Sequence, residues 1–172
     1  YGFGIIVTSR GCPFGCTYCA AKKMWPGKVR NRNVDDIIRE IKHVKERFGT
    51  SYFNFRDDTF TLDKKRAMEI CRRIIEDKLN IVWRCDTRAD SLDEELVKMM
   101  KRSGCVQASI GVESGCDRIL ALVKKGETAE DIRRGIGLLR KQMIPVSAFI
   151  MVGFPTETIE EARETLRFAK SL

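Results

Sequence analysis

The sequence predicts an α/β chain, a partial parallel (β/α) barrel with five βα units visible of six. Three observations carry this. Short apolar runs alternate with amphipathic helical stretches about every 34 residues, the rhythm of βαβ crossovers. Neither a dinucleotide glycine fingerprint nor a P-loop follows the first run, so neither nucleotide fold is indicated. Each run ends in a polar or glycine cluster, where parallel α/β folds bind ligands.

Phe3 to Val7 reads as the first buried strand, and Lys22 to Arg32, with the turn signal Trp25-Pro26-Gly27, as a basic loop. Asn33 caps a helix with Val34, Ile37, Ile38, Ile41, Val44 and Phe48 at helical spacing, closed by Gly49. His43 on that helix reads as a surface residue. Ser51 to Phe55 forms the second strand, and Asp63 opens a helix that turns Ala67, Ile70, Cys71, Ile74 and Ile75 inward.

Ile81 to Cys85 is the third strand. Ser91 and Glu94 have capping-box spacing for a helix ending near Arg102, stopped by Gly104. Cys105 to Val112 is the fourth strand, followed by a helical stretch over Asp117 to Val123 and by a helix from Thr128 to about Gln142. Val146 to Val152 is the fifth, and Thr158 to Leu172 closes the chain as a helix. With no initiating Met and a helical pattern running to Leu172, residues 1–172 are expected to be one domain excised from a longer protein at both ends.

The composition, 43% hydrophobic and 33% charged, is that of a globular domain. No apolar run approaches the roughly 18 residues a membrane span needs, and no signal-peptide pattern opens the chain, so the cytoplasm is the expected location. Seven cysteines, three of them clustered, argue for a reducing compartment or a metal rather than a disulfide framework. The net charge of +8 leaves open a nucleic-acid-binding module with a structural metal.

Cys12, Cys16 and Cys19, spaced C-x3-C-x2-C, follow the first strand. Thiolates at this spacing suit either an iron–sulfur cluster with one iron left open or a zinc ion with a remote fourth ligand, for which His43, Cys71, Cys85, Cys105 and Cys116 are available. The other strand ends carry Asp57-Asp58, Arg88 with Asp90, Glu113-Ser114 and Gly153. Five such clusters on one rim suit a large ligand, polar at one end and bound beside a metal.

With its Cys12–Cys19 loop, Phe55-Arg56-Asp57-Asp58, Thr87-Arg88-Ala89-Asp90, Gly111-Val112-Glu113-Ser114-Gly115 and Gly153-Phe154-Pro155-Thr156-Glu157-Thr158, the chain resembles the radical S-adenosylmethionine (SAM) superfamily. The likeness is to its cobalamin-associated and methylthiotransferase-like branch. The resemblance implies a [4Fe–4S] cluster on Cys12, Cys16 and Cys19, with Tyr18 as the aromatic residue before the third cysteine. It implies that Asp57 and Asp58 receive the SAM amino group and that Glu113 and Ser114 meet its ribose or methionine portion. Arg88 or Lys125 would face its carboxylate, and the backbone from Met151 to Gly153 would pack on adenine.

The implied activity is reductive cleavage of SAM to a 5′-deoxyadenosyl radical that modifies a substrate by methyl transfer, methylthio transfer or tetrapyrrole chemistry. A flavodoxin or ferredoxin would supply the electron, and cobalamin would enter through an N-terminal domain absent here. The substrate is not legible, and an inactive scaffold of the same fold is the remaining alternative.

Overall fold

The segment that begins at Asn33 becomes a helix because each of its ends is chemically marked. The Asn33 side chain accepts the Asp35 N–H at 2.8 Å, and Gly49 closes the helix at φ 66°, a left-handed conformation that glycine adopts without penalty. Between them Ile37, Ile38 and Ile41 are buried on one stripe, and Ile41→Ala would cost about 2–5 kcal/mol. The other long helices follow the same rule. Asp63 and Asp93 cap theirs, while Thr128 and Thr158 form capping boxes.

The computed structural model describes residues 2–172. In chain order the elements are β1 (Gly4–Ile6), β2 (Ser9–Arg10), α1 (Ala21–Met24), β3 (Arg30–Asn31), α2 (Val34–Phe48), β4 (Tyr52–Phe55) and α3 (Lys64–Glu76). There follow β5 (Val82–Thr87), α4 (Glu94–Arg102), β6 (Cys105–Glu113), α5 (Asp117–Leu122), α6 (Ala129–Lys141), β7 (Val146–Ile150) and α7 (Ile159–Ser171). Strands β1, β4, β5, β6 and β7 make one sheet in that order, every neighbouring pair parallel. The α/β class and the five-unit parallel sheet match the sequence expectation.

Alternation along the strands separates two faces. Phe53, Phe55, Trp83, Cys85, Ala108 and Ile110 join Ile37, Ile41, Ile70, Leu96, Ile132 and Leu139 from the helices in one core. The opposite face, with Arg84, Asp86, Gln107, Ser109 and Phe149, is more open. Among the described residues no helix is long and apolar enough to cross a membrane.

Three details differ from the sequence expectation. The basic loop contains α1 and β3, and β3 pairs antiparallel with β2 through Ser9 to Asn31 and Arg10 to Arg30. The fifth strand stops at Ile150 rather than Val152. Ser91 does not cap α4, because its hydroxyl is drawn to Thr61 and to the Arg88 carbonyl at 2.8 Å, and Asp93 accepts the Leu96 N–H in its place.

Candidate functional site

The cysteine loop is fixed from below by its own backbone. Gly11 has φ 103°, and a Cβ there would sit 2.0 Å from the Lys28 carbonyl oxygen, so only glycine fits. Its N–H donates to Asp58 Oδ2 at 2.9 Å. Farther along, the Thr17 N–H donates to the Val123 carbonyl at 3.0 Å, which ties the loop to the end of α5.

Asp57 and Asp58 are neighbours with different work. Asp57 is buried and accepts the Thr8 N–H at 2.6 Å, the Ser9 N–H at 3.1 Å and the Ser9 hydroxyl at 3.0 Å, pinning the end of β1. Arg66 completes the clamp by donating to the Thr8 carbonyl at 2.6 Å. Asp58 faces the other way, into a cleft at the carboxyl ends of the strands.

That cleft brings together Cys12, Cys16, Cys19, Tyr18, Asp58, Arg88, Glu113 and Lys125. Asp57, Ser114, Met151 and Gly153 lie outside its lining. The Ser114 hydroxyl is paired with that of Thr165 at 2.9 Å and accepts the Cys116 N–H at 3.1 Å. The Met151 N–H donates to the Glu113 carbonyl at 2.9 Å, and the Gly153 N–H donates to the Glu157 carboxylate. Phe14, Asp86, Ser109 and Phe149, which the sequence did not single out, do line the cleft.

Glu113 reaches it through local strain. The β6–β7 register slips between Gly111 and Glu113, and Glu113 has φ 64°, a left-handed conformation that costs a non-glycine residue free energy and re-aims its side chain. A Cβ on Gly111 would lie 2.4 Å from Glu113 Oε1 and 2.8 Å from Lys125 Nζ, so the glycine leaves room for this pair. The Lys125 ammonium stands 3.6 Å from Glu113 and 3.4 Å from Glu127.

Arg88 is held on every side. Its guanidinium donates to Asp90 at 3.0 and 2.7 Å and to the Lys125 carbonyl at 2.9 Å, and lies 3.7 Å from the centre of the Phe14 ring. Burial works against its charge, but the Asp90 and Glu127 carboxylates outweigh this and leave its pKa above the ordinary value. Burial, then the charges of Glu113 and Cys16, pushes the Tyr18 phenol up, so it remains a donor. Burial also raises Cys12, with Asp58 and the other two thiols adding to the effect.

All seven cysteines are free thiols. Cys71 lies on the inner side of α3, Cys85 and Cys105 lie in strands, and Cys116 caps α5, outside the cleft lining. Among the described residues no three His, Cys, Asp or Glu side chains converge tightly enough for a single metal ion. A mononuclear tetrahedral site with metal–sulfur bonds of about 2.3 Å would need sulfurs about 3.8 Å apart. Three loop thiols lining one cleft suit a larger group, such as a cluster in which each would bind a different iron.

Comparison with known proteins places this architecture. The sequence model described as the radical SAM superfamily matches residues 6–169, and the chain belongs to that superfamily. It is 36% identical over 170 residues to an uncharacterized methyltransferase of Pyrococcus horikoshii, covering 99% of this chain and 37% of that protein. It is 30% identical over 164 residues to the anaerobic magnesium-protoporphyrin IX monomethyl ester cyclase of Rubrivivax gelatinosus, covering 94% of this chain and 29% of the cyclase. The chain therefore spans about a third of the length of these relatives. The structure of the radical SAM methyltransferase TsrM from Kitasatospora setae, with cobalamin and a [4Fe-4S] cluster bound, superposes with a TM-score of 0.91 at 21% identity, covering 99% of this chain and 34% of that one, and shares its fold.

Proposed function

We propose that this chain is the catalytic core of a radical SAM enzyme, holding a [4Fe–4S] cluster on Cys12, Cys16 and Cys19 and SAM in the cleft above β5 and β6. The observation that carries the reading is the gathering of three free thiols, Asp58, Glu113 and Lys125 on one cleft at the strand ends. When bound, the cluster supplies one electron to the sulfonium of SAM. Three cysteine ligands would leave one iron without a protein ligand, and the chain's own residues would complement the amino and carboxylate ends of SAM.

Asp58 offers a carboxylate to the ammonium, and Glu113 a carboxylate to hydroxyls. Lys125, rather than Arg88, meets the carboxylate. Both cations line the cleft, but Arg88 already makes three hydrogen bonds, to Asp90 and to the Lys125 carbonyl, whereas the Lys125 ammonium makes only ion pairs of 3.4 and 3.6 Å. Asp57 and Ser114 act indirectly by fixing the backbone beside Asp58 and Glu113.

In the longer protein to which this core belongs, a cobalamin-binding domain, a substrate for methyl, methylthio or tetrapyrrole chemistry and a flavodoxin- or ferredoxin-like donor in the cytoplasm complete the reading. Anaerobic iron–sulfur reconstitution followed by reduction with SAM tests it. About four irons per chain and release of 5′-deoxyadenosine are expected. A chain that takes up zinc but no iron, or whose iron content survives Cys12→Ala/Cys16→Ala/Cys19→Ala, would sink the assignment.

A further inference from the structure

We propose that Glu127, a buried carboxylate behind the cleft, is the positioning residue that sets Arg88 and Lys125 in the cleft wall, so that Lys125 faces an anionic group while Arg88 stays against Phe14. The inference rests on the reading of the cleft as a SAM site and adds a residue that itself touches neither ligand nor cluster. The Glu127 side chain is 0% exposed and is not part of the cleft lining.

One of its oxygens accepts the Asp90 N–H at 2.9 Å. The other has no hydrogen-bond partner and stands 3.4 Å from both Arg88 Nη2 and Lys125 Nζ. The two cations are thus no farther apart than twice that distance, in a region with little water to screen them. The Glu127 oxygen is the counter-charge the two share, beside Asp90 on Arg88 and Glu113 near Lys125. It joins the end of β5, the α5–α6 turn, the β6 bulge at Glu113 and, through Arg88 and Phe14, the cysteine loop.

The group is a poor stabiliser of the fold. Desolvation of buried ions offsets most of their attraction, and an oxygen without a hydrogen bond adds to the cost. Its fixed geometry has a use in binding. Lys125 is restrained by long ion pairs rather than hydrogen bonds, so its ammonium can turn toward an incoming carboxylate while Glu127 holds it at the cleft wall. Replacing a positioning carboxylate with this role should leave the fold and the iron in place and cost SAM affinity heavily.

The test is a double-mutant cycle in the full-length, reconstituted protein, with SAM affinity read by equilibrium dialysis beside iron content and melting temperature. Glu127→Gln should fold and keep the native iron content, with a lowered melting temperature because two buried cations lose a shared counter-charge, and should bind SAM at least tenfold more weakly. Lys125→Met should weaken SAM similarly, and the double variant should bind no more weakly than Lys125→Met alone. Glu127→Asp, which keeps the charge, should recover part of the affinity lost in Glu127→Gln.

Native SAM affinity in Glu127→Gln, fully additive losses, or Glu127→Asp binding more weakly than Glu127→Gln would overturn the proposal. Loss of iron content in Glu127→Gln would do the same by making the role structural. If the parent protein itself binds iron but not SAM, the reading of the cleft fails first and this inference with it, a result unlike any produced by the variants.

Discussion

The chain carries two cysteine trios with opposite fates. Cys12, Cys16 and Cys19 ring the mouth of a cleft on a loop held by glycine and by Asp58. Cys71, Cys85 and Cys105 meet in the core between α3, β5 and β6, at most 1% exposed. Burial pushes the Cys71 thiol up to about 12, and the hydrogen bond with Cys105 followed by burial holds Cys85 far above its ordinary value. A metal ligand must be a thiolate, so Cys71 and Cys85 are held toward the form that ligates poorly, deep in a core with no room for a metal group. Residue type alone does not make a metal site; solvent, loop backbone and neighbouring charge do.

The sharpest way to break this contrast is iron content. Replacing the rim trio with alanine should take reconstituted iron from about four per chain to nearly none, while Cys71→Ala, Cys85→Ala and Cys105→Ala proteins that remain folded should load fully. Iron lost equally in both sets would erase the distinction. The next largest effect is on reactivity. In the cluster-free native protein, iodoacetamide should modify the rim trio before the core trio, by a factor set by the unfolding equilibrium and therefore on the order of a thousandfold or more. Peptide mass spectrometry over time reads the order directly.

The rim trio was legible because spacing and position after a strand are linear features. The βα rhythm was legible for the same reason, as were the caps at Asn33, Asp63, Thr128 and Thr158. What the sequence hides is direction. Asp57 and Asp58 are identical as letters and Glu113 and Ser114 are both polar, yet consecutive side chains at a strand end take different directions, so Asp58 and Glu113 line the cleft while Asp57 and Ser114 lie behind it. Ser91 had the spacing of a cap and lost that role to a tertiary hydroxyl cluster. Nothing in the letters singles out Glu127, and only the fold shows it dry.

Stability separates the trios by a smaller margin. Cys71→Ala removes a fully buried group about the size of a methyl from the core and should cost about 1 kcal/mol. For a chain of this length that is a fall of roughly 2–4 °C in melting temperature. Cys19→Ala in the cluster-free protein, at an exposed position, should leave the melting temperature within error of the parent. Equal losses would mean that the loop is part of the cooperative core rather than a platform laid over it.

The smallest effect is the shape of alkaline unfolding. The Cys71 thiol titrates near 12 in the folded chain and near its ordinary value of 9.0 once unfolded. Between those values the folded state keeps a proton that the unfolded state has lost. The unfolded state therefore binds fewer protons, and stability contributed by this group, complete below about pH 9, falls as pH rises toward 12. Urea midpoints measured from pH 8 to 11 should fall less steeply in Cys71→Ala than in the parent, even though the variant starts lower. Parallel curves for Cys71→Ala and the parent would show that the core thiol ionises as freely as an exposed one, and the contrast between the trios would then rest on loop geometry alone.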